Sequence, residues 1–380
     1  MARAAAMGPI VLAAGGTGGH MFPAEALARE LTARGRRVAL MTDRRGQSFG
    51  DRVPGVETMR IRAGRFDGGL IGKMRGTVEL LLGVVEARAT LRKLAPAAVI
   101  GFGGYPSVPT VAAAARLGLP TVIHEQNALL GRANRLLAGR ARRLALSFAE
   151  TGRLKPAERR RAVVTGNPVR PAIAGFRAQA YTVPVQSGGI EILILGGSQG
   201  ARVFSMVVPD ALSLLPPALR GRVRLNQQTR PEDLESVRTR YAQDGITAEL
   251  ASFFDDVPQR LARAQLVIAR AGASTVAELG VIGRPAILVP YPHAADDHQT
   301  ANAAAFAAAG AGWAMGQPQF TAERLAGLLT ELLDAPERLA RAAAAAHALG
   351  RPDAASRLAD LVLALIEGSG NSRGIEGKAA

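Results

Sequence analysis

The run GGTGGH, Gly15–His20, places four glycines and a histidine just after the apolar stretch Ile10–Ala13. Glycines after a strand let backbone amides approach a bulky or anionic group and adopt positive φ. An imidazole closing the run adds a base whose ordinary pKa, ~6.5, suits proton removal near neutrality. His20 could equally be a helix-entry cap or a hydrogen-bonder to a ligand. GGSQGA, Gly196–Ala201, repeats the glycine design without the histidine. GFGGYPS, Gly101–Ser107, and HEQNALLG, His124–Gly131, follow two further apolar stretches, and Glu125 is a second candidate base. In ARAGASTVAELG, Ala269–Gly280, Ser274 or Thr275 is expected to start a helix. The amides and dipole of such a start stabilise a diphosphate without a metal, and Glu278 one turn on can accept from ribose hydroxyls. Thr275 and Glu278 also have the spacing of an ordinary capping box. PYPHAADDHQTANA, Pro290–Ala303, offers Asp297, His298, Gln299 and Asn302 for sugar hydroxyls, or is simply a polar loop entering a helix.

These residues need elements that bring loops together. Short apolar runs at Ile10–Ala13, Val38–Met41, Ala98–Gly101, Thr121–His124 and Arg143–Leu146 alternate with helical patterns such as Pro23–Arg34 and Thr77–Leu94. A second series runs Glu191–Leu195, Val223–Leu225, Leu266–Ala269 and Ala286–Val289. The alternation predicts an α/β protein of two doubly wound parallel-sheet domains in tandem. Ligands of such sheets bind at the carboxyl ends of the strands, so both glycine turns are expected on one interdomain cleft. The expected domains are residues 7–168 and 190–349, joined by a linker after Pro168. A helix at about 350–367 is expected to pack back on the first domain, followed by a disordered tail at 368–380.

At 380 residues, two domains is the expectation from length alone. The absence of cysteine excludes disulfides, thiolate metal sites and cysteine nucleophiles. MARAAAM is not expected to act as a signal peptide, and no apolar run nears the ~18 residues of a spanning helix. Residues 1–168 carry 27 Lys and Arg against 11 Asp and Glu, whereas residues 169–380 carry 20 of each. The first half should therefore meet something anionic: a nucleic acid, a membrane surface or a phosphorylated substrate. Aromatics at 4% leave little to stack on single strands, which argues against nucleic acid.

GGTGGH, GGYPS, HEQN, GNPVR, GGSQGAR, RAGASTVAE and DHQTANA, in this order, make the chain resemble the MurG family within glycosyltransferase family 28. The resemblance covers about residues 9–365. It implies a GT-B fold and an inverting, metal-independent transfer of N-acetylglucosamine from UDP-GlcNAc to lipid I, the undecaprenyl-pyrophosphoryl-MurNAc-pentapeptide. No cofactor is implied. The implied donor contacts are Ser198 on phosphate, Ala273, Ser274, Thr275, Val276, Ala277 and Glu278 on diphosphate and ribose, and Gln299 on GlcNAc. Arg170, Asn127 and Thr17, Gly18 and Gly19 complete the donor site. His20 or Glu125 is the base, and Gly103, Gly104, Tyr105 and His124 face the acceptor. The family has an aliphatic residue near the uracil where Phe254 stands, and the DHQ loop varies in length, so His298 and Gln299 remain interchangeable.

The lipid acceptor implies a peripheral place on the cytoplasmic face of the bacterial plasma membrane. Within Gly68–Leu94, Leu70–Met74 with Lys73, Arg75, Arg88 and Arg92 fit an anionic membrane surface, while core packing accounts for most other apolar positions there. Other cell-wall enzymes are further potential partners. Two other enzymes fit the same pattern: a UDP-GlcNAc 2-epimerase, and an NAD(P)-dependent oxidoreductase using Asp43 as ribose ligand. Against the latter, neither glycine turn fits G-x-G-x-x-G, and His20 would crowd a pyrophosphate.

Overall fold

The computed structural model describes residues 8–15, 18–43, 53–64, 69–185, 188–197 and 200–376. The chain divides into two units, Met1–Arg170 with Asp353–Ala380, and Pro171–Pro352.

The first unit contains β1 (Ile10–Ala13), β2 (Val38–Thr42), β3 (Glu57–Arg60), β4 (Ala98–Gly101), β5 (Thr121–Glu125), β6 (Arg143–Leu146) and β7 (Ala162–Val164). They form one sheet in the order β3-β2-β1-β4-β5-β6-β7, with every neighbouring pair parallel. Among helices of seven or more residues, this unit has α1 (Gly18–Ala33), α2 (Leu70–Leu94), α3 (Ser107–Arg116) and α4 (Arg132–Ala138). Successive residues of a strand point to opposite faces, and here both faces are covered. Ile10 and Leu12 pack with Leu27 and Leu31 of α1, whereas Val11 and Ala13 pack with Leu91 of α2 and Val111 of α3. That double covering is why these strands read as unbroken apolar runs.

The second unit has β8 (Ile190–Leu195), β9 (Val223–Gln228), β10 (Thr247–Ala251), β11 (Leu266–Ala269), β12 (Ala286–Leu288) and β13 (Gly312–Ala314). Their order is β10-β9-β8-β11-β12-β13, again parallel throughout. Its longer helices are α5 (Arg202–Ser213), α6 (Leu234–Gln243), α7 (Val257–Arg263), α8 (Ala273–Ile282), α9 (His298–Ala308), α10 (Ala322–Asp334) and α11 (Pro336–Leu349). The last helix, α12 (Ala354–Glu376), belongs to the first unit and lays Leu358, Ala359 and Val362 against α1. Arg34, in the turn that follows α1, bonds Asp360 at 2.5 Å and the Ser356 hydroxyl at 2.7 Å. The helical path runs through residues 368–376, where a disordered tail was expected.

The stretch after Pro168 is not a loose connection. Ile173 is fully buried, and the Tyr181 hydroxyl donates to the Gln265 carbonyl at 2.8 Å. Gln265 in turn donates to the Thr182 carbonyl, and Arg177 donates to the carbonyls of Val281 and His347. The apolar anchors are too widely spaced in sequence to show a period, so the segment reads as a linker although it is strapped to the second unit.

In both sheets the strand order reverses direction beside the first strand, between β1 and β4 and between β8 and β11. Loops leaving the carboxyl ends at such a reversal leave a crevice that neighbouring connections do not fill. GGTGGH and GFGGYPS flank the first of these points, GGSQG and RAGAS the second.

Candidate functional site

In the first unit α1 begins at Gly18, so Gly18, Gly19 and His20 form its opening turn. Gly16 and Thr17 lie outside the described residues. A Cβ on Gly15 would stand 2.7 Å from Pro106 Cβ, and one on Gly18 would stand 2.9 Å from the Phe22 ring. Gly103 and Gly104 adopt φ of +82° and +71°, the left-handed region open to glycine. A Cβ on either would come within 3.4 Å or 3.2 Å of the His20 ring. Glycine is thus what allows the GGYPS loop to lie against the imidazole, although some 80 residues separate them in sequence. Tyr105 in this loop is 42% exposed. Arg170 stands over the Phe22 ring, 5.2 Å from its centroid.

HEQN leaves the end of β5. His124 and Glu125 are buried as its last two residues. The His124 Nε2 lies 3.0 Å from the Gly166 carbonyl of GNPVR, and its Nδ1 lies 3.0 Å from Gln126 Nε2. Burial pushes the His124 imidazole down to about 4, with the His20 charge acting the same way and the Gly166 bond opposing. Gln126 Oε1 is 3.3 Å from His20 Nδ1, so the three motifs meet. Glu125 is differently engaged. One oxygen accepts from the Asn127 amide at 2.9 Å and side chain at 3.1 Å. The other accepts from the Gly131 amide and Asn134 Nδ2, both at 2.8 Å. Four donors on one buried carboxylate fix the course of the 126–134 loop.

In the second unit, α8 starts immediately beyond β11 with Gly272 at its N-cap and no side-chain cap bond. The capping box that the Thr275–Glu278 spacing suggested is not formed: Ser274 and Thr275 are the helix's second and third residues. The physical reason is the extended backbone at Gly272, φ −64° and ψ 144°, which places the cap two residues before Ser274 and three before Thr275. Amides of a first helical turn have no intrahelical partner. Beside them the buried Ser274 Oγ has no hydrogen-bond partner within the described residues. Ala273, Val276 and Glu278 are buried, Ala277 half-buried. Asn302, on α9, donates to the Ala271 carbonyl at 3.0 Å and is fully buried, which fastens DHQTANA to RAGAS rather than presenting the amide to a sugar. Gln299 Oε1 accepts from the Tyr291 amide at 2.9 Å, and His298 Nδ1 lies 2.7 Å from the Ala295 carbonyl. Gly197 and Gly200 of GGSQG take φ of +81° and +69°, while Ser198 lies outside the described residues.

Phe254 is buried beneath Arg260, whose Cζ sits 4.0 Å above its ring. Arg260 is held there by Glu249 at 2.6 Å and Asp256 at 2.7 Å. The aromatic ring in place of the family's aliphatic residue is therefore part of an internal stack.

On α2, Met74 is 69% exposed, in keeping with the expected surface segment Leu70–Met74, but Val78, Leu81, Leu82 and Val85, which the sequence assigned to packing, are exposed as well, Val85 by 66%. Their spacing of three or four residues places them on one stripe. Arg75, Arg88, Arg92 and Lys93 are exposed on the same helix. The side chains of Leu70, Ile71 and Lys73 lie outside the described set. Among the described residues no helix is long and apolar enough to cross a membrane.

Sequence reasoning missed Gln126, Gly131 and Asn134. A buried glutamine or asparagine looks, in sequence, like any polar loop residue, so HEQNALLG drew attention only to His124, Glu125 and Asn127.

The N-terminal and C-terminal domains of glycosyltransferase family 28 match residues 10–146 and 191–358. The UDP-N-acetylglucosamine–N-acetylmuramyl-(pentapeptide) pyrophosphoryl-undecaprenol N-acetylglucosamine transferase of Rhodospirillum centenum is 59% identical over 367 residues, 97% of each chain. The crystal structure of Acinetobacter baumannii MurG superposes with a TM-score of 0.76 at 31% identity, covering 93% of this chain and 99% of that one. The UDP-GlcNAc 2-epimerase of Neisseria meningitidis has a TM-score of 0.66 at 14% identity, covering 93% and 99%, which shows a shared fold alone. The two doubly wound units are those of the GT-B fold. The chain belongs to glycosyltransferase family 28.

Proposed function

We propose that the protein transfers N-acetylglucosamine from UDP-GlcNAc to the C4 hydroxyl of MurNAc in lipid I, forming lipid II for peptidoglycan synthesis. The observation that carries this reading is 59% identity to a transferase of that name along 97% of both chains. The epimerase reading rests on fold alone, and the transferase relatives give the oxidoreductase reading no support.

The reaction is a single displacement with inversion. The acceptor C4 oxygen attacks the anomeric carbon as the bond to UDP breaks, and the hydroxyl proton passes to His20. Proton transfer to a well-placed base is worth ~10²–10⁴-fold. His20 is assigned this role, and Glu125 the anchoring of its loop, because both Glu125 oxygens already hold four donors. Departing UDP carries negative charge, and the amino end of α8 with Ser274 receives it without a metal ion. Glu278 accepts from the ribose, Gln299 addresses GlcNAc, and Arg170, Asn127, Thr17–Gly19 and Ser198 complete the donor contacts implied by the family pattern. Gly103, Gly104, Tyr105 and His124 belong to the acceptor side.

A lipid acceptor requires the enzyme at the cytoplasmic membrane surface. The exposed stripe of α2 with its flanking cations supports peripheral docking there, since each Lys or Arg near an anionic surface contributes about 1 kcal/mol. Reversal of Lys73, Arg75, Arg88 and Arg92 to Glu should cut co-sedimentation with anionic vesicles at least 100-fold; unchanged binding would refute the docking. The activity is tested with UDP-GlcNAc and a short-chain lipid I analogue. Turnover should survive EDTA, and UDP-GlcNAc consumed without transfer, or a metal requirement, would overturn the reading.

A further inference from the structure

The hydrogen-bond chain behind His20 has an orientation that its backbone ends dictate. Gln126 Nε2 lies 2.9 Å from the Phe102 carbonyl and 3.3 Å from the His124 carbonyl. Carbonyl oxygens only accept, so the amide nitrogen must be on that side and Oε1 on the other. An amide oxygen also only accepts, so the group facing it, His20 Nδ1 at 3.3 Å, must carry a hydrogen. The far end agrees independently. His124 Nε2 faces the Gly166 carbonyl at 3.0 Å and must donate, which in the neutral ring leaves Nδ1 to accept from Gln126. Burial holds His124 neutral near pH 7, so the chain keeps one direction.

We infer that Gln126 is a positioning residue that holds neutral His20 as its Nδ1–H tautomer, leaving Nε2 as the proton-accepting nitrogen. The order runs from His20 Nδ1–H to Gln126 Oε1, from Gln126 Nε2–H to His124 Nδ1, and from His124 Nε2–H to the Gly166 carbonyl. A histidine's second ring nitrogen commonly sets its tautomer in this way, through a carboxylate or a backbone carbonyl. Here a side-chain amide does so, and adds no charge beside the base. The His20 ring lies beside Gly103 and Gly104, where an added Cβ would stand 3.4 Å and 3.2 Å from it. The catalytic consequence rests on the proposed transferase reading; the tautomer does not.

The test is ¹⁵N spectroscopy of the full chain labelled at its five histidines, with the His20 signals identified by their loss in His20→Gln. Above its titration, neutral His20 should show a protonated Nδ1 and an unprotonated Nε2. Gln126→Met, similar in volume but without an acceptor, should move the ring toward the Nε2–H form. Its kcat should fall about 10- to 100-fold while KM for UDP-GlcNAc stays within about twofold, because a misplaced proton removes the base without touching the donor. A purely space-filling role for Gln126 predicts that Gln126→Met leaves the His20 tautomer and kcat unchanged. Nε2–H in the native protein, or an unchanged tautomer in folded Gln126→Met, would overturn the inference. If transfer is absent from the native protein but the tautomer is as stated, the transferase reading fails and the inference stands.

Discussion

The two strand-order reversals share a backbone design but carry different side chains. Beside β1 and β4, and at the adjoining end of β5, polar side chains are held by buried contacts: His20 to Gln126, Gln126 to His124, and Glu125 to its four donors. Around β8 and β11 the corresponding loops offer glycine backbone, the uncapped start of α8 and a buried hydroxyl. A proton acceptor needs a side chain held in one tautomer and orientation, which demands an internal scaffold. An anion needs only oriented N–H groups, which a helix start supplies by itself. Under the proposed reading, one fold yields a base or an anion seat according to the side chains placed beside its glycines.

The contrast predicts different responses to damage. The largest concerns the scaffold of the first unit. His124 is neutral when folded, at about 4, but takes a proton near 6.5 once unfolded. The unfolded chain therefore binds more protons between these values, so the contribution is complete above pH 6.5 and is lost as pH falls toward 4. A shift of this size corresponds to about 3 kcal/mol. Urea unfolding from pH 7 to 4 should show that loss, and His124→Gln should flatten it. Equal slopes in both proteins would break the idea of a neutral internal relay.

A smaller effect is expected in the second unit, where Ser274→Ala removes a hydroxyl with no protein partner. Stability should stay within about 0.5 kcal/mol, as for substitutions that break no internal bond. KM for UDP-GlcNAc should rise about tenfold or more, the worth of a hydrogen bond to a charged group. A stability loss with unchanged KM would mean that the hydroxyl serves packing rather than an anion, and the contrast between the two regions would narrow.

Burial decides how much of this was legible in sequence. Central strands such as Ile10–Ala13 and Leu266–Ala269 are covered on both faces and stand out as apolar runs. The edge strands are only partly covered: Glu57–Arg60 and Thr247–Ala251 are hidden by their mixed residues, and Ala162–Val164 and Gly312–Ala314 by having only three residues each. His20 and the glycines were legible because their types are chemically distinctive at that spacing. Gln126 was not, since its importance depends on which end of its amide meets a carbonyl, a fact of three-dimensional contact. The start of α8 was legible to within two residues, but its cap was misassigned because spacing cannot report the φ and ψ of Gly272. Val78, Leu81, Leu82 and Val85 were read as core because apolar periodicity marks a covered face without saying what covers it.

The division of labour is tested most directly by one comparison at saturating lipid I analogue: kcat and UDP-GlcNAc affinity of His20→Ala against the native enzyme. Loss of the base alone should lower kcat by at least ~100-fold while the dissociation constant for UDP-GlcNAc changes less than twofold. A kcat within a few-fold of native, or a collapse of donor affinity in its place, would contradict the account.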